Sequence, residues 1–238
     1  MNYEEIKKNL LVLVIMGFTS ISVFNSVVYY SLNYTQVLNG VLMISTIPVF
    51  IIFFSGLFKT ESIRIYQIIG VVISLLGVIS IITKLDLSLL LSLKLNKGDL
   101  WMLVAMISWT TYSLLLGKKK VKLEPFIFLQ TIIIIGLLFL LPMYIAEGLV
   151  GKKITINFPV LMTIGYVVFF AGIGAYTFWN AAIKLIGPSR SGVFLHLMPI
   201  FSSLMAVFLL GEQFSFHHIV GTLLIISGIL LSSKKQTI

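Results

Sequence analysis

Apolar residues fill eight long stretches of this chain, and the polar positions collect between them. The stretches are 9–32, 37–57, 65–83, 100–117, 125–146, 158–184, 191–210 and 216–233. A helix that crosses the hydrocarbon core of a bilayer needs about 20 apolar residues, and several of these stretches supply them. The runs are continuous rather than alternating, which argues against a transmembrane β-barrel. The pattern predicts an all-α polytopic membrane protein with eight transmembrane helices. Connections are short except 84–99, an amphipathic segment read as a linker.

Composition points the same way. Of the 238 residues, 58% are hydrophobic and 11% charged, against about 25% charged in a soluble domain. A net charge of +9 would suggest a nucleic-acid partner in a soluble chain. Here the basic residues sit at the ends of apolar runs, so the expected partner is the lipid bilayer and not nucleic acid. The chain has no cysteine, so disulfides are impossible. The first run has no small-residue cleavage site and is too long for a signal-peptide core, so it reads as a retained span. With the N-terminus in the cytoplasm, 12 Lys and Arg fall inside, and five, Lys84, Lys94, Lys97, Lys152 and Lys153, fall outside. Short loops rich in basic residues stay cytoplasmic. The expectation is a multi-pass inner or plasma membrane protein with both termini cytoplasmic.

The polar punctuation repeats. Between 48 and 77, six residues recur 151 positions later: Pro48, Phe50, Glu61, Ile68, Gly70 and Gly77. The chain holds only six prolines and six glutamates, so pairing Pro48 with Pro199 and Glu61 with Glu212 carries weight. Gly70 and Gly77 pair with Gly221 and Gly228. Five spans lie between Glu61 and Glu212, and an odd number reverses orientation. The predicted fold is therefore an inverted-repeat helix bundle, a sequence pointer to secondary transporters. Each glutamate precedes a helix start, where free N–H groups and the dipole favour an anion. The glycines, seven apart on one helix face, suit close helix packing in lipid. Pro48 and Pro199 fall inside spans and are expected to kink them, as a static bend or a hinge.

The run "P…GE……G……G" on Pro199, Gly211, Glu212, Gly221 and Gly228, with "GDLWMLVAMISWTTYSLLLGKK" carrying Gly98, Asp99, Trp109 and Tyr112, resembles the drug/metabolite transporter superfamily. The resemblance is to its EamA-type permeases, covers nearly the whole chain and speaks for fold more than for substrate. It implies ten spans in two inverted five-helix halves, whose members carry amino acids, metabolites or drugs. This sequence departs from that: an N-terminal half of three spans (1–86), a linker (87–98) and a C-terminal half of five (99–238). Position 60 is also Thr60 where the second half has Gly211. It reads as a member lacking its first two spans.

Polar residues inside spans are costly and usually face the bundle interior. The pathway candidates are Asn25, Tyr29, Asn39, Trp109, Tyr112, Tyr176, Trp179, Asn180 and His196. Tyr176, Trp179 and Asn180 share a helix face, as do Trp109 and Tyr112. Aromatic rings with a polar handle suit a cavity for an amphipathic small molecule, or else interhelical packing. His196 is the only ionisable side chain deep in a span and is read either as a packing residue or as a proton carrier. Gly172 and Gly174 are expected to loosen a long span.

The sequence therefore predicts a small-solute secondary transporter that works by alternating access, with a nontransporting remnant or an assembly partner of another membrane protein as the alternative. An enzyme is not expected: no span holds paired carboxylates, a metal-ligand cluster or a nucleophile elbow. No nucleotide-binding loop is present, so direct drive by ATP is not expected, and no cofactor is predicted. The pattern sets no oligomeric state.

Overall fold

The structure, a computed structural model, describes residues 2–92, 94, 96–118, 121–151, 155–211 and 213–234. Glu212 of the repeat, and Lys119, Lys120, Lys152, Lys153 and Lys235 of the charge count, lie outside the described residues. Among the described residues, seven helices are long and apolar enough to cross a membrane: α1 (Leu10–Ser31), α2 (Leu38–Leu57), α3 (Ile65–Ile82), α4 (Lys97–Lys118), α5 (Pro125–Leu149), α6 (Phe158–Ile186) and α7 (Pro188–Leu210). An eighth, α8 (Phe216–Ser232), is apolar and shorter. α7 begins at Pro188, ahead of the predicted 191, because Gly187 turns the chain at φ +84°. Only glycine adopts that backbone freely, and proline suits a first helical turn.

The two prolines do not kink continuous helices. α2 stops at Ile44 and restarts at Ile47, and α7 passes through a 3₁₀ turn, Phe194–Leu197, before restarting at Met198. Pro48 and Pro199 stand in the first turns of the restarted pieces. There a missing N–H leaves no helical bond unmade. α1 and α6 each contain a widened π-helical stretch, Phe18–Phe24 and Val167–Gly174, the second spanning Gly172 and Gly174.

α3 and α8 cross antiparallel, in close backbone contact. A Cβ on Gly70 would lie 2.5 Å from Gly228 O, and one on Gly77 would lie 2.6 Å from Gly221 O. The contacts are reciprocal. Gly70 abuts Ser232 while Gly221 abuts Ile81; Gly77 abuts Ile225 while Gly228 abuts Ser74. Each contact becomes its mate when both residues are shifted by 151. Two further pairs, Asn25–Tyr176 and Ser45–His196, join residues 151 apart. A residue that touches its own counterpart lies on the pseudo-two-fold axis.

The symmetry is incomplete on one flank. α1 is covered by α4 and α5: Gly98 packs on Ser31 O, Gly17 on Ile132 O, Met102 on Ser31 of α1 and Gly40 of α2, and Phe24 meets Trp109 at 4.6 Å with the rings tilted. Its counterpart α6 meets α4 through Tyr176, Trp179 and Asn180 and is uncovered over its first part among the described residues. Its most apolar stretch is 0% buried, against 28% for α1. A hollow of about 280 Å³, lined by Ala175, Phe178, Trp179, Ala182, Ser191 and Phe194, lies open where Met102 fills the matching place.

The linker forms a short helix, Leu87–Leu91, capped by Asp86, whose Oδ1 accepts the Ser88 N–H at 2.8 Å. Hydrogen bonds from the Ser88 side chain and backbone hold the Asp86 carboxyl below its ordinary range. The linker ends in a polar knot. Asp99 accepts from Thr35 Oγ1 at 2.5 Å and from the Asn96 N–H at 2.9 Å. Asn96 Nδ2 donates back to Thr35 Oγ1 at 3.2 Å.

Candidate functional site

Trp109 of α4 is the hub of an aromatic and polar cluster that joins α1, α4 and α6. Its ring lies 5.5 Å from Tyr112, 5.5 Å from Tyr176 and 5.4 Å from Trp179. The i, i+3 and i, i+4 spacings on α4 and α6 turn these rings toward one another. Tyr112 OH donates to Asn180 Oδ1. Trp179 Nε1 donates to Ser113 Oγ at 3.2 Å. Tyr176 OH donates to Ser20 O at 2.6 Å and accepts from Asn25 Nδ2 at 3.2 Å.

These side chains fill the space themselves, so the cluster is a plug rather than a cavity. Seven of the nine pathway candidates are gathered on or beside the pseudo-symmetry axis, and two lie elsewhere. Tyr29 is 65% exposed and takes no part in the network. Asn39 lies at the start of α2, at the far end of the bundle. The serines Ser20 and Ser113 are members that sequence reasoning missed. In apolar spans a serine looks like any small packing residue, and no signal marked them.

Removing Tyr112 OH is expected to strand Asn180 Oδ1 in the interior, at a cost of about 1–3 kcal/mol. Tyr112→Phe should therefore lower the melting temperature in detergent. Adding Asn180→Leu should recover much of the loss, because the double change leaves no orphan acceptor. Equal melting of the wild type and Tyr112→Phe would refute this.

His196 lies fully buried on the axis and clasps three helices. Nε2 is 2.7 Å from Ser45 O, so it must carry a proton. Nδ1 is 2.6 Å from Ser74 Oγ, which lies 3.0 Å from Val71 O. A neutral ring accepts from Ser74. A charged ring donates to Ser74, whose hydroxyl then turns to Val71. One hydroxyl rotation thus satisfies either state.

The two ends of the bundle differ. At the end that holds Glu61, α2 and α7 are sealed together. Glu61 does not cap its own helix, as the sequence suggested; Gln67 does, accepting the Arg64 N–H at 2.9 Å. Glu61 instead accepts the Ser189 N–H at 3.0 Å, at the first turn of α7, where its carboxylate packs against Gly187. A folded contact across 128 residues outweighs the local one because the start of α7 offers free N–H groups and a positive dipole end. Ser189 Oγ meets Ser55 Oγ at 3.2 Å, and Gly192 lies against Ile51 and Pro48. At the opposite end the counterparts are splayed. Ser202, matching buried Ile51, is exposed, and Ala206, matching buried Ser55, is half-buried. Phe201, Met205, Phe208 and Leu209 of α7 are exposed.

A known family matches this chain. The EamA-like transporter family aligns with residues 2–83 and 96–234. The chain belongs to that family. EamA-like transporters are helical polytopic membrane proteins of the drug/metabolite superfamily, and a membrane transporter role follows. The uncharacterized transporter YyaM of Bacillus subtilis (strain 168) is 25% identical over 234 residues, covering 97% of this chain and 75% of that protein. An uncharacterized transporter of Archaeoglobus fulgidus is 28% identical over 228 residues, covering 96% and 76%. A solved structure described as "Crystal structure of protein" superposes with a TM-score of 0.74 at 16% identity, covering 98% of this chain and 83% of that one. At that identity it speaks for the fold alone.

Proposed function

We propose that the protein is a secondary transporter of a small solute that works by alternating access between its inverted units (1–86 and 99–238), and not an enzyme. The observation that carries this is the broken symmetry at α2 and α7. The Glu61 end is sealed by the Ser189 N–H and the Ser55–Ser189 contact, while at the other end Ser202 and Ala206, the counterparts of buried Ile51 and Ser55, are exposed and half-buried. Two units of one design placed head to tail can exchange these arrangements, closing one end as the other opens. With both termini on the cytoplasmic side, as the basic loops suggest, the sealed end faces the cytoplasm.

The bare flank of α6 supports a second reading, an assembly partner that packs its helices there. Reconstitution separates the two. Proteoliposomes are offered labelled amino acids, organic acids and amphipathic cations. Saturable uptake of one class supports transport, and no movement of any class supports the partner reading.

Glu61→Gln gives a sharper expectation. It replaces a charged acceptor at a helix start, a loss of about 1–2 kcal/mol from the sealed state. The equilibrium should shift about tenfold toward opening at that end. A cysteine at Ser55, buried in the seal, reports it: thiol labelling should speed up by about the same factor. Unchanged labelling would remove Glu61 from the seal.

A further inference from the structure

The contacts of His196 have no equivalent in the other copy of the repeat. Nε2 donates to Ser45 O at 2.7 Å, and Nδ1 meets Ser74 Oγ at 2.6 Å. Ser45 O needs that donor. It lies in the break of α2, where the Val49 N–H turns to Thr46 O at 2.9 Å. The missing helical bond is made good from across the axis. Ser74 stands on α3. One imidazole therefore ties the break of α7 to the break of α2 and to α3, and all three residues are buried.

Shifting this set by 151 residues gives the pairing that the exchanged arrangement would offer. Ser45 takes the place of His196, the His196 carbonyl that of Ser45 O, and Ile225 that of Ser74. A serine is too short to join two neighbouring helices, and Ile225 has no group that donates or accepts. The Ser45 hydroxyl is already spent on Val41 O at 2.8 Å. The arrangement open at the Glu61 end therefore has no clasp of its own. It also takes from a buried imidazole the partners it holds here, which is costly.

We propose that His196 sets the resting state: its clasp holds the empty protein with the Glu61 end sealed and the other end open, so that solute loads from the open end. The inference rests on the transporter reading and deepens it. Two identical inverted units would favour neither arrangement, so a bias must come from positions where the units differ. Glu61 has Glu212 as its counterpart, whereas His196 has a serine and Ser74 an isoleucine. The difference falls on the pseudo-two-fold axis, where the breaks of α2 and α7 meet and where an exchange must pass.

Thiol labelling of the full chain in liposomes reads the two ends without any transport. One reporter is Ser55→Cys, buried in the seal; the other is Ala206→Cys, its half-buried counterpart at the open end. His196→Leu removes the clasp. Labelling at position 55 should speed up about tenfold, and position 206 should slow by less than about twofold, as a minor arrangement gains population. Ser74→Ala removes one partner and should speed position 55 about threefold. It is the milder change and carries the test where His196→Leu fails to fold. An exchange variant, Ser45→His and Ile225→Ser with His196→Ser and Ser74→Ile, hands the clasp to the other unit. Position 206 should then label at least about tenfold more slowly. Unchanged labelling at position 55 in His196→Leu and Ser74→Ala overturns the proposal. So does faster labelling at both positions, the mark of a residue that only packs the core, and so does an exchange variant still open at position 206. Shifted labelling without solute movement leaves the biased clasp standing and removes the transporter reading. Solute movement with unshifted labelling does the reverse.

Discussion

Gly228→Ala is expected to destabilise the protein by about 2 kcal/mol, whereas Gly165→Ala should be neutral or stabilising. Both positions are helical, and alanine is better than glycine in a helix interior by about 1 kcal/mol. That gain is available at Gly165, where an added Cβ meets nothing within 4 Å. At Gly228 the new methyl would run into Gly70 O, and it would lie 2.5 Å from Ser74 N. Those atoms are backbone and cannot rotate aside. The helices must separate, and overpacking of this kind costs about 1–3 kcal/mol beyond any propensity gain. Separation also loosens the reciprocal contact at Gly77 and Gly221. Thermal unfolding of the two variants in one detergent decides the matter, and a Gly228→Ala protein that melts with the wild type refutes the close crossing.

The second large effect concerns the seal. Ser55→Cys with Ser189→Cys is expected to form a disulfide under mild oxidant and to abolish transport, with activity returning on reduction. The two hydroxyl oxygens already lie 3.2 Å apart on buried residues of α2 and α7, and the chain has no cysteine of its own to interfere. The counterpart pair, Leu38→Cys with Ala206→Cys, should cross-link only in molecules that have turned over. Full transport by the oxidised Ser55/Ser189 pair would remove that end as a gate. Failure of the counterpart pair to cross-link during transport would remove the two-state exchange.

The fold was legible because lipid imposes a simple rule on sequence. Every backbone group must be satisfied within the span, so spans appear as long apolar runs. Gly70, Gly77, Gly221 and Gly228 were legible for the same reason: in so apolar a chain, an absent side chain repeated at fixed spacing stands out. Facing was not legible. A helix that is apolar all round gives no period to read, so Tyr29 looked as promising as Tyr112, yet only Tyr112 turned inward. The partners of Glu61 and His196 were hidden because they lie in other helices. Ser189 and Ser74 acquire meaning only once α2, α3 and α7 converge. The plug was foreseen as a set of residues but not as a closed one. Sequence shows which groups can form hydrogen bonds, and only packing shows that they form them with each other.

The widened turns in α1 and α6 bear on ancestry. Shifting 18–24 by 151 gives 169–175, which overlays 167–174 almost residue for residue. Such a turn arises when a helix gains one residue, and two independent gains at matching depth would be a coincidence. The economical history is a single insertion in an ancestral gene, copied when that gene doubled and kept in both descendants.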